Sequence, residues 1–482
     1  MASSKLILVL FLAGHLAAHL HATTFYVATN GNDSNSGTST SAPFATPQKA
    51  VTLSALAAGD TIYVRGGNYA FSTQVKPSRT GAAGNPIKLW AYPGEFPVWD
   101  FATMPAGSTK ALDTRKDYWH IKGIEVKNGP DSGILIAGSG TIIEGCVVHD
   151  CGNDGFIFGS TSIRATNALI LNCDSYRNFD PASGGNNGDG FGAKTGCGPG
   201  NVFRGCRAFY NADDGWDCYD NDTNTVTFEN CWSFHNGTNL WNVSNFSGNG
   251  NGFKLGGAGT HAGHLLKNCL AFDNHSKGFD HNLSVGAHTL YNCTGFRNAK
   301  WNFSFYDAPA SGADTFKNNV SYLGQGTNIV AGAVMVANSW QGFTVTAADF
   351  ASVSDALAFA PRNADYSLPA NTLARLAAGS DLIDAGVNVG LPFNGAAPDL
   401  GAYEFTASIS QGPIWFQSWR ATHGGFSLIV TGLTSHGAVV LSASSNLTSW
   451  TPLLTNPAAT GTTQFLDPVT NRAARFYRAE EK

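Results

Sequence analysis

The chain has 482 residues, of which 43% are hydrophobic and only 13% are charged, and its net charge is −5. Charged residues this sparse exclude a solvated helical protein, and the length allows one large domain with a smaller one. The 56 glycines and the 12% aromatic residues favour an all-β fold with many tight turns, and no basic tract indicates a nucleic-acid surface.

Residues 1–22 have the pattern of a secretory signal peptide. Lys5 is followed by an apolar run over residues 6–18, and the segment ends at the small residue Ala22. The run is shorter than the ~20 apolar residues of a membrane-spanning helix. We therefore expect a secreted or periplasmic protein that has no association with a membrane once the signal is removed.

A helix is predicted soon after the first strand, which covers residues 24–28. Thr46 and Pro47 have the pattern of an N-cap and a first helical position, and the helix is expected to run to about Ala58. Its apolar face would close the open end of the domain that follows.

Two short repeats alternate between residues 142 and 307. One places an asparagine five residues after a cysteine, and the other is a glycine followed by an aromatic residue. The cysteines of the first repeat are 27, 33, 25, 38 and 24 residues apart. The apolar positions within each unit alternate, which predicts a strand, a turn and a second strand. The repeats therefore predict a β-solenoid whose loops vary in length.

Stacking the turns of such a solenoid about 4.8 Å apart aligns equivalent residues in columns. The cysteine column would lie inside as buried free thiols, since no zinc-type spacing occurs. It consists of Cys146, Cys173, Cys206, Cys231, Cys269 and Cys293. The asparagine column would lie at a bend, with each amide bonded to the turns above and below. It consists of Asn178, Asn211, Asn236, Asn274 and Asn298.

Four aspartates and one lysine are the candidate functional residues: Asp189, Asp213, Asp214, Asp217 and Lys254. Asp189 and Asp214 each precede a repeat glycine, and Asp217 and Lys254 each follow one by two positions. Stacking would make each pair column neighbours, and the two columns would converge only if the glycine lies at or near a bend. Four stacked carboxylates repel one another unless a hard cation such as Ca²⁺ lies among them. A lysine beside such an ion would hold its proton less tightly and could act as a base.

Three nearby residues receive weaker interpretations. Asp154 occupies the same repeat position one turn earlier, and it is interpreted as an ordinary Asp-Gly turn residue. Lys194 and Lys277 are candidate contacts for the carboxylates of a substrate.

The repeats end before the C-terminal part of the chain. Residues 399–405 predict a final strand, and residues 406–482 contain short alternating segments such as 426–430 and 438–441. We expect residues 406–482 to form a separate small β domain.

At three motifs the chain resembles polysaccharide lyase family 9, which consists of secreted pectate lyases with a right-handed parallel β-helix. The motifs are Asp189-Gly190-Phe191, Asp213-Asp214-Gly215-Trp216-Asp217 and Gly252-Phe253-Lys254. The resemblance extends from residue 24 to about residue 405. It implies that the four aspartates bind Ca²⁺ and that Lys254 accepts the proton when pectate or polygalacturonate is cleaved by β-elimination.

The sequence thus predicts an all-β protein in three parts. Residues 1–22 are the signal peptide, residues 23–405 are a right-handed parallel β-helix with an N-terminal capping helix, and residues 406–482 are the small β domain. Its expected partner is an acidic polysaccharide, and a monomer is expected. Two alternatives stay open: a lyase that acts on another acidic polysaccharide, and a non-catalytic β-helix that is stabilised by Ca²⁺ and binds glycans. The second alternative leaves Lys254 unexplained.

Overall fold

The computed structural model describes residues 22–107, 109–159, 164–406, 415–422, 425–434, 438–457, 459–468 and 475–481. The predicted signal peptide lies outside the described residues except for Ala22. In these ranges no helix has the length and apolar character needed to cross a membrane.

Most of the chain winds into a coil in which successive turns add parallel strands to three long sheets. The first sheet contains, in spatial order, Thr24–Val27, Thr61–Val64, Ile87–Ala91, Trp119–Lys122, Ile142–Glu144, Leu169–Leu171, Val202–Arg204, Thr227–Glu229, Leu265–Lys267, Thr289–Tyr291, Thr315–Lys317 and Val334–Val336. The second contains Gly67–Ala70, Pro97–Asp100, Glu125–Lys127, Val147–His149, Asp174–Tyr176, Arg207–Phe209, Trp232–Phe234, Leu270–Phe272, Thr294–Phe296 and Val320–Tyr322. The third contains Leu112–Thr114, Ile134–Ile136, Phe156–Phe158, Phe191–Gly192, Trp216–Asp217, Phe253–Lys254, Phe279–Asp280, Phe303–Phe305 and Thr327–Ile329.

The aromatic residues of the glycine repeat form a continuous stack inside the coil. The rings of Phe156, Phe191, Trp216, Phe253 and Phe279 follow one another with centroids 4.8, 4.8, 4.6 and 5.1 Å apart. All five side chains are buried. Because large stacked rings tolerate little sliding, the stack holds the strands of the third sheet in register.

The asparagine repeat forms the predicted ladder of amides. Each side-chain NH₂ donates to the side-chain oxygen Oδ1 of the next asparagine in the column. From Asn178 along the column to Asn298, the four successive Nδ2–Oδ1 distances are 2.8, 3.0, 3.0 and 3.0 Å. These side chains are buried, so each amide satisfies groups that water cannot reach. The nine cysteines all lie in the described part of the chain, and each is buried and free.

The N-terminal helix is present but shorter than predicted. It covers Pro47–Val51, and the Thr46 hydroxyl accepts a hydrogen bond from the backbone N–H of Lys49 at 3.2 Å. It ends at Val51, and the hydroxyl of the next residue, Thr52, donates to the backbone carbonyl of Gln48 at 2.7 Å. Val51 is buried in the core, as expected for a residue that closes the coil. Three short 3₁₀ helices cover Pro181–Ser183, Ala347–Asp349 and Asp355–Phe359.

The prediction of a strand at residues 399–405 is wrong. The carboxylate of Asp399 accepts hydrogen bonds from the backbone N–H groups of Asp384, at 2.8 Å, and Phe405, which folds this segment into a turn. Leu400 and Ala402 pack instead against hydrophobic residues of the second sheet.

A buried ion-pair network joins the second sheet to the segment that follows the coil. The carboxylate of Asp174 lies 2.7 Å from the guanidinium of Arg207 and 2.7 Å from that of Arg362. Burial opposes the charge of Asp174, but the two guanidinium groups outweigh it and lower the pKa of this carboxyl to about 2. The network therefore fixes the segment around Arg362 against the coil.

The described residues after 414 form two three-stranded antiparallel sheets. One contains Trp415–Thr422, Gly425–Thr434 and Thr460–Asp467, and the other contains Thr451–Asn456, Val439–Ser444 and Phe476–Glu481. Their hydrophobic residues form a cluster of their own.

Candidate active site and metal centre

The third sheet brings the candidate residues together on consecutive turns. Trp216 pairs with Phe191 on one side and with Phe253 on the other, and this register places Asp217 directly opposite Lys254. Each repeat glycine immediately precedes its strand, at the bend where the chain enters the sheet. The register and the bend that the repeats predict are therefore both present.

Three of the four aspartates form a close set of carboxylates. Oxygen atoms of Asp189, Asp214 and Asp217 all lie within 4.8 Å of one another, and all three residues are buried. Burial and the charges of Asp189 and Asp217 raise the pKa of Asp214 from 3.8 to about 7, although Lys254 acts in the opposite direction. Crowded, buried carboxylates of this kind are a favourable ligand set for a hard divalent cation.

One oxygen of Asp214 supports the same conclusion. Its Oδ1 accepts hydrogen bonds from the backbone and side-chain N–H groups of Asn251, at 2.7 and 2.8 Å. Its Oδ2 is also buried; it makes no hydrogen bond to the described residues, and the ammonium of Lys254 lies 3.1 Å from it. A buried carboxylate oxygen of this kind needs a positive partner, which is the ammonium here and would be the metal ion when one is bound.

Asp213 lies beside this set but is not part of it. Its carboxylate accepts the backbone N–H of Asn249 at 2.8 Å. Burial and the charges of Asp214 and Asp189 raise its pKa to about 9. The charges of those two neighbours therefore act on Asp213, and its predicted role as a metal ligand stays a prediction.

Lys254 contacts the carboxylates directly. Its ammonium lies 3.1 Å from Asp214 Oδ2 and 3.4 Å from Asp217 Oδ2, and its side chain is 13% exposed. Burial disfavours the charged amine, but the carboxylates, with Asp214 first, outweigh it and raise the pKa of Lys254. Without a metal ion, the protein's own charges thus hold Lys254 protonated. The expectation from the sequence concerns the metal-bound site, where an added positive charge among the carboxylates would act in the opposite direction.

Two further charged residues belong to the cluster. The Lys194 ammonium lies 2.7 Å from Asp189, 3.0 Å from Asp154 and 3.5 Å from Asp217. Asp154 is buried, and burial together with the charges of Asp189 and Asp217 raises its pKa to about 7, against the effect of Lys194. Interpreting Asp154 as an ordinary turn residue overlooked this contact. Its place in the column of Asp189 and Asp214 was the signal that could have revealed it.

Lys277 lies beyond Lys254 along the coil and contacts a different carboxylate. Its ammonium lies 3.0 Å from Asp280, which pairs with Lys254 in the third sheet, and 5.5 Å from the ring centroid of Tyr306. A separate group lies beside the second sheet, where His235 and Asp273 follow strands and Asp355 begins a 3₁₀ helix, and it also has three possible ligand atoms close together. There Arg297 already binds both oxygens of Asp273, so that group is a charge-paired network.

Comparison with known proteins identifies the family. Residues 25–328 match the model of the Pel9A-like right-handed β-helix region. Pectate lyase L of Dickeya dadantii is 39% identical over 392 residues, which cover 79% of this chain and 90% of that protein. The crystal structure of pectate lyase Pel9A superposes with a TM-score of 0.75 at 37% identity, over 80% of this chain and 96% of that one. A rhamnogalacturonan lyase superposes with a TM-score of 0.66 at 27% identity, over 74% of this chain and 97% of that one.

These matches cover the coil that carries the aspartates and the lysine, and they agree with the resemblance found in the motifs. The chain therefore belongs to polysaccharide lyase family 9, the pectate lyases with the Pel9A-like right-handed β-helix.

Proposed function

We propose that this protein is a Ca²⁺-dependent pectate lyase in which Lys254 is the base. The observation that carries the proposal is the position of the Lys254 ammonium, 3.1 and 3.4 Å from two buried carboxylates of the cluster that would hold the metal ion. The pectate lyases that this chain resembles make pectate or polygalacturonate the first substrate to test.

The residues that would hold Ca²⁺ are Asp189, Asp213, Asp214 and Asp217. A bound Ca²⁺ would offset part of the charge of these carboxylates and would draw charge from the carboxylate of a uronate substrate, which would acidify the neighbouring C5–H bond. Relieved of its ion pairs, Lys254 can lose its proton and present a neutral amine to that hydrogen. Tyr219 packs near the amine, with its ring centroid 5.6 Å from Nζ, and shields one side of it from water.

The bond changes of the elimination balance without water. The Lys254 amine takes the C5 proton, the electron pair of that bond forms the C4–C5 double bond, and the C4–O4 bond breaks with its electron pair on O4. In net terms the proton taken from C5 ends on O4, and the sugar linked through O4 departs as an alcohol. The new end is a 4,5-unsaturated uronate. Hydrolysis would instead need a protonated carboxylic acid opposite a base or nucleophile, and a carboxylate bound to a metal cannot serve as that acid.

The setting follows from the same reasoning. We infer that the protein acts outside the cytoplasm, because residues 1–22 have the pattern of a signal peptide. That it acts as a monomer stays a prediction. The acidic substrate and the acidic protein would meet through the bound cation, since like charges otherwise repel.

Product formation from polygalacturonate tests the proposal. The unsaturated product absorbs ultraviolet light, so turnover can be followed directly, with Ca²⁺ present or with excess chelator. We expect Lys254→Met to lose at least about 10²–10⁴-fold in kcat, the usual contribution of a general base, while its melting temperature with saturating Ca²⁺ and its binding of the polymer change little. Lys267→Met is a matched control, because Lys267 pairs with Glu229 at 3.0 Å on the first sheet. Normal turnover in Lys254→Met, or in excess chelator, would overturn the proposal.

A lyase that acts on another acidic polysaccharide is the second candidate, and the similarity to a rhamnogalacturonan lyase favours it. The same assay with rhamnogalacturonan in place of polygalacturonate distinguishes the two. If product forms only from rhamnogalacturonan, and its formation is lost in Lys254→Met, the substrate assigned to the protein would be rhamnogalacturonan. A non-catalytic glycan-binding β-helix predicts no unsaturated product from either polymer.

A further inference from the structure

We propose that Lys194 is an internal counter-cation of the aspartate cluster that Ca²⁺ must displace, and that Asp154 is the carboxylate to which it withdraws. On this view Lys194 is a positioning residue that sets the affinity of the site for Ca²⁺. The inference rests on the metal site of the proposed function and extends it to two residues that lie outside the predicted ligand set.

Lys194 contacts carboxylates from three consecutive turns of the coil. Its ammonium is 3.0 Å from Asp154, 2.7 Å from Asp189 and 3.5 Å from Asp217, and its side chain is only 19% exposed. A long flexible side chain held this way gives up much conformational freedom. The three charges that surround the ammonium compensate for that loss.

Lys194 occupies the oxygen atoms that a cation needs. Asp189 Oδ1 accepts the backbone N–H of Asp214 at 2.8 Å, so its Oδ2, at 2.7 Å from Lys194, is the oxygen left for a metal. Asp217 Oδ1 likewise accepts the backbone N–H of Tyr219 at 2.9 Å, and its Oδ2 faces Lys194. Because a cation and an ammonium compete for the same two oxygens, Ca²⁺ binding requires Lys194 to move away from them.

Asp154 provides the place to which Lys194 can move. It is buried, it lies one turn before Asp189, and it is not among the predicted ligands. Gly192 keeps this place open, because a Cβ atom there would lie 2.5 Å from Asp154 Oδ1 and 2.6 Å from the side chain of Ile157. The ammonium can therefore leave Asp189 and Asp217 and remain paired with a buried carboxylate.

Calorimetric titration of the mature protein with Ca²⁺ tests this directly, without a substrate. Lys194→Met should lower the Kd for Ca²⁺ by about tenfold or more, because it removes both the competition and the repulsion. It should also lower the melting temperature in excess chelator, where the carboxylates lose a counter-ion. Lys194→Arg, which keeps the charge, should bind Ca²⁺ like the wild type. The control Lys267→Met should change neither quantity.

Asp154→Asn has the opposite expected effect. It removes the place to which Lys194 withdraws, so the Kd for Ca²⁺ should rise by about fivefold or more. The same substitution in the Lys194→Met background should have a much smaller effect, since no ammonium is left to relocate. This coupling separates relocation of Lys194 from the simple loss of one negative charge, which would act equally in both backgrounds.

Each outcome decides between the proposals. Wild-type protein that binds no Ca²⁺ overturns this inference and the proposed function together. Wild-type protein that binds Ca²⁺ while Lys194→Met binds it equally or more weakly overturns only the role of Lys194. If Lys194→Met does not fold, Lys194→Gln and Asp154→Asn decide, and equal or tighter binding by Asp154→Asn overturns the inference.

Discussion

Replacing Asp214 by asparagine should change how the stability of the protein depends on pH when no Ca²⁺ is bound. The folded protein raises the pKa of Asp214 from 3.8 to about 7, because the carboxyl is buried beside Asp189 and Asp217. The folded state therefore keeps a proton that the unfolded chain has already released. Wherever the folded state binds more protons, the free energy of unfolding falls as pH rises. The expected loss begins near the unfolded value of 3.8 and is complete above about 7.

The size of the effect follows from the shift. A single carboxyl with these two pKa values lowers the free energy of unfolding by roughly 2–3 kcal/mol between about pH 5 and about pH 8. Asp214→Asn removes this contribution and retains the oxygen that accepts both hydrogen bonds from Asn251. Buried histidines such as His264 also titrate, but they are common to both proteins and cancel in the comparison. Between about pH 5 and about pH 8, the free energy of unfolding of wild type should therefore fall by about 2–3 kcal/mol more than that of Asp214→Asn.

Guanidinium unfolding at several pH values in excess chelator measures the difference. Asp222→Asn is the control, since that side chain is 62% exposed and lies outside the cluster, and its curve should follow the wild type. Parallel pH curves for wild type and Asp214→Asn would show that the carboxylates are not crowded in solution. The physical basis for a cation at this site would then be lost.

Two further substitutions test the parts of the fold that hold the site. Asn211→Ala removes four hydrogen bonds of the asparagine ladder and leaves the buried backbone N–H of Asn178 without its acceptor. We expect the free energy of unfolding, measured with guanidinium, to fall by about 3–5 kcal/mol. The control Asn32→Ala, whose side chain is exposed, should lower it by less than about 1 kcal/mol. Equal losses in the two variants would contradict a stabilising role of the ladder. Asp174→Asn leaves the buried guanidinium of Arg207 without its charge partner and should cost about 3–5 kcal/mol at neutral pH. The pKa of the Asp174 carboxyl is about 2 in the folded protein against an ordinary 3.8, so wild type should lose the stabilisation from this ion pair only as the pH falls below about 4. Acid unfolding followed by circular dichroism measures this loss. An Asp174→Asn variant as stable as wild type at neutral pH would refute the prediction.

The repeats predicted the coil and its register because a solenoid repeats its contacts at fixed sequence positions. Once Phe191, Trp216 and Phe253 are recognised as equivalent, the pairing of Asp217 with Lys254 follows without knowledge of the loops. The asparagine ladder was predictable for the same reason. The aromatic and amide columns are local and periodic, so the sequence alone carried that information.

Non-repeating contacts could not be predicted in the same way. Lys194 has no counterpart in the repeats, and its long side chain reaches three carboxylates only when three turns are in place. The direction of the Lys254 pKa shift depends on the balance between burial and summed charges, which a residue pattern does not give. The turn at Asp399 likewise depends on hydrogen bonds to the backbone that composition does not reveal.

The turns of the coil contain unequal numbers of residues, which bears on how far its loops can vary in length. The chain takes 25 residues from Asp189 to Asp214 and 37 from Asp217 to Lys254, yet both steps advance the coil by a single turn. The surplus residues of the longer step leave as a loop before Asn251 and return to the same column. A segment at this edge can therefore differ in length from one turn to the next without altering the register that sets Asp217 opposite Lys254.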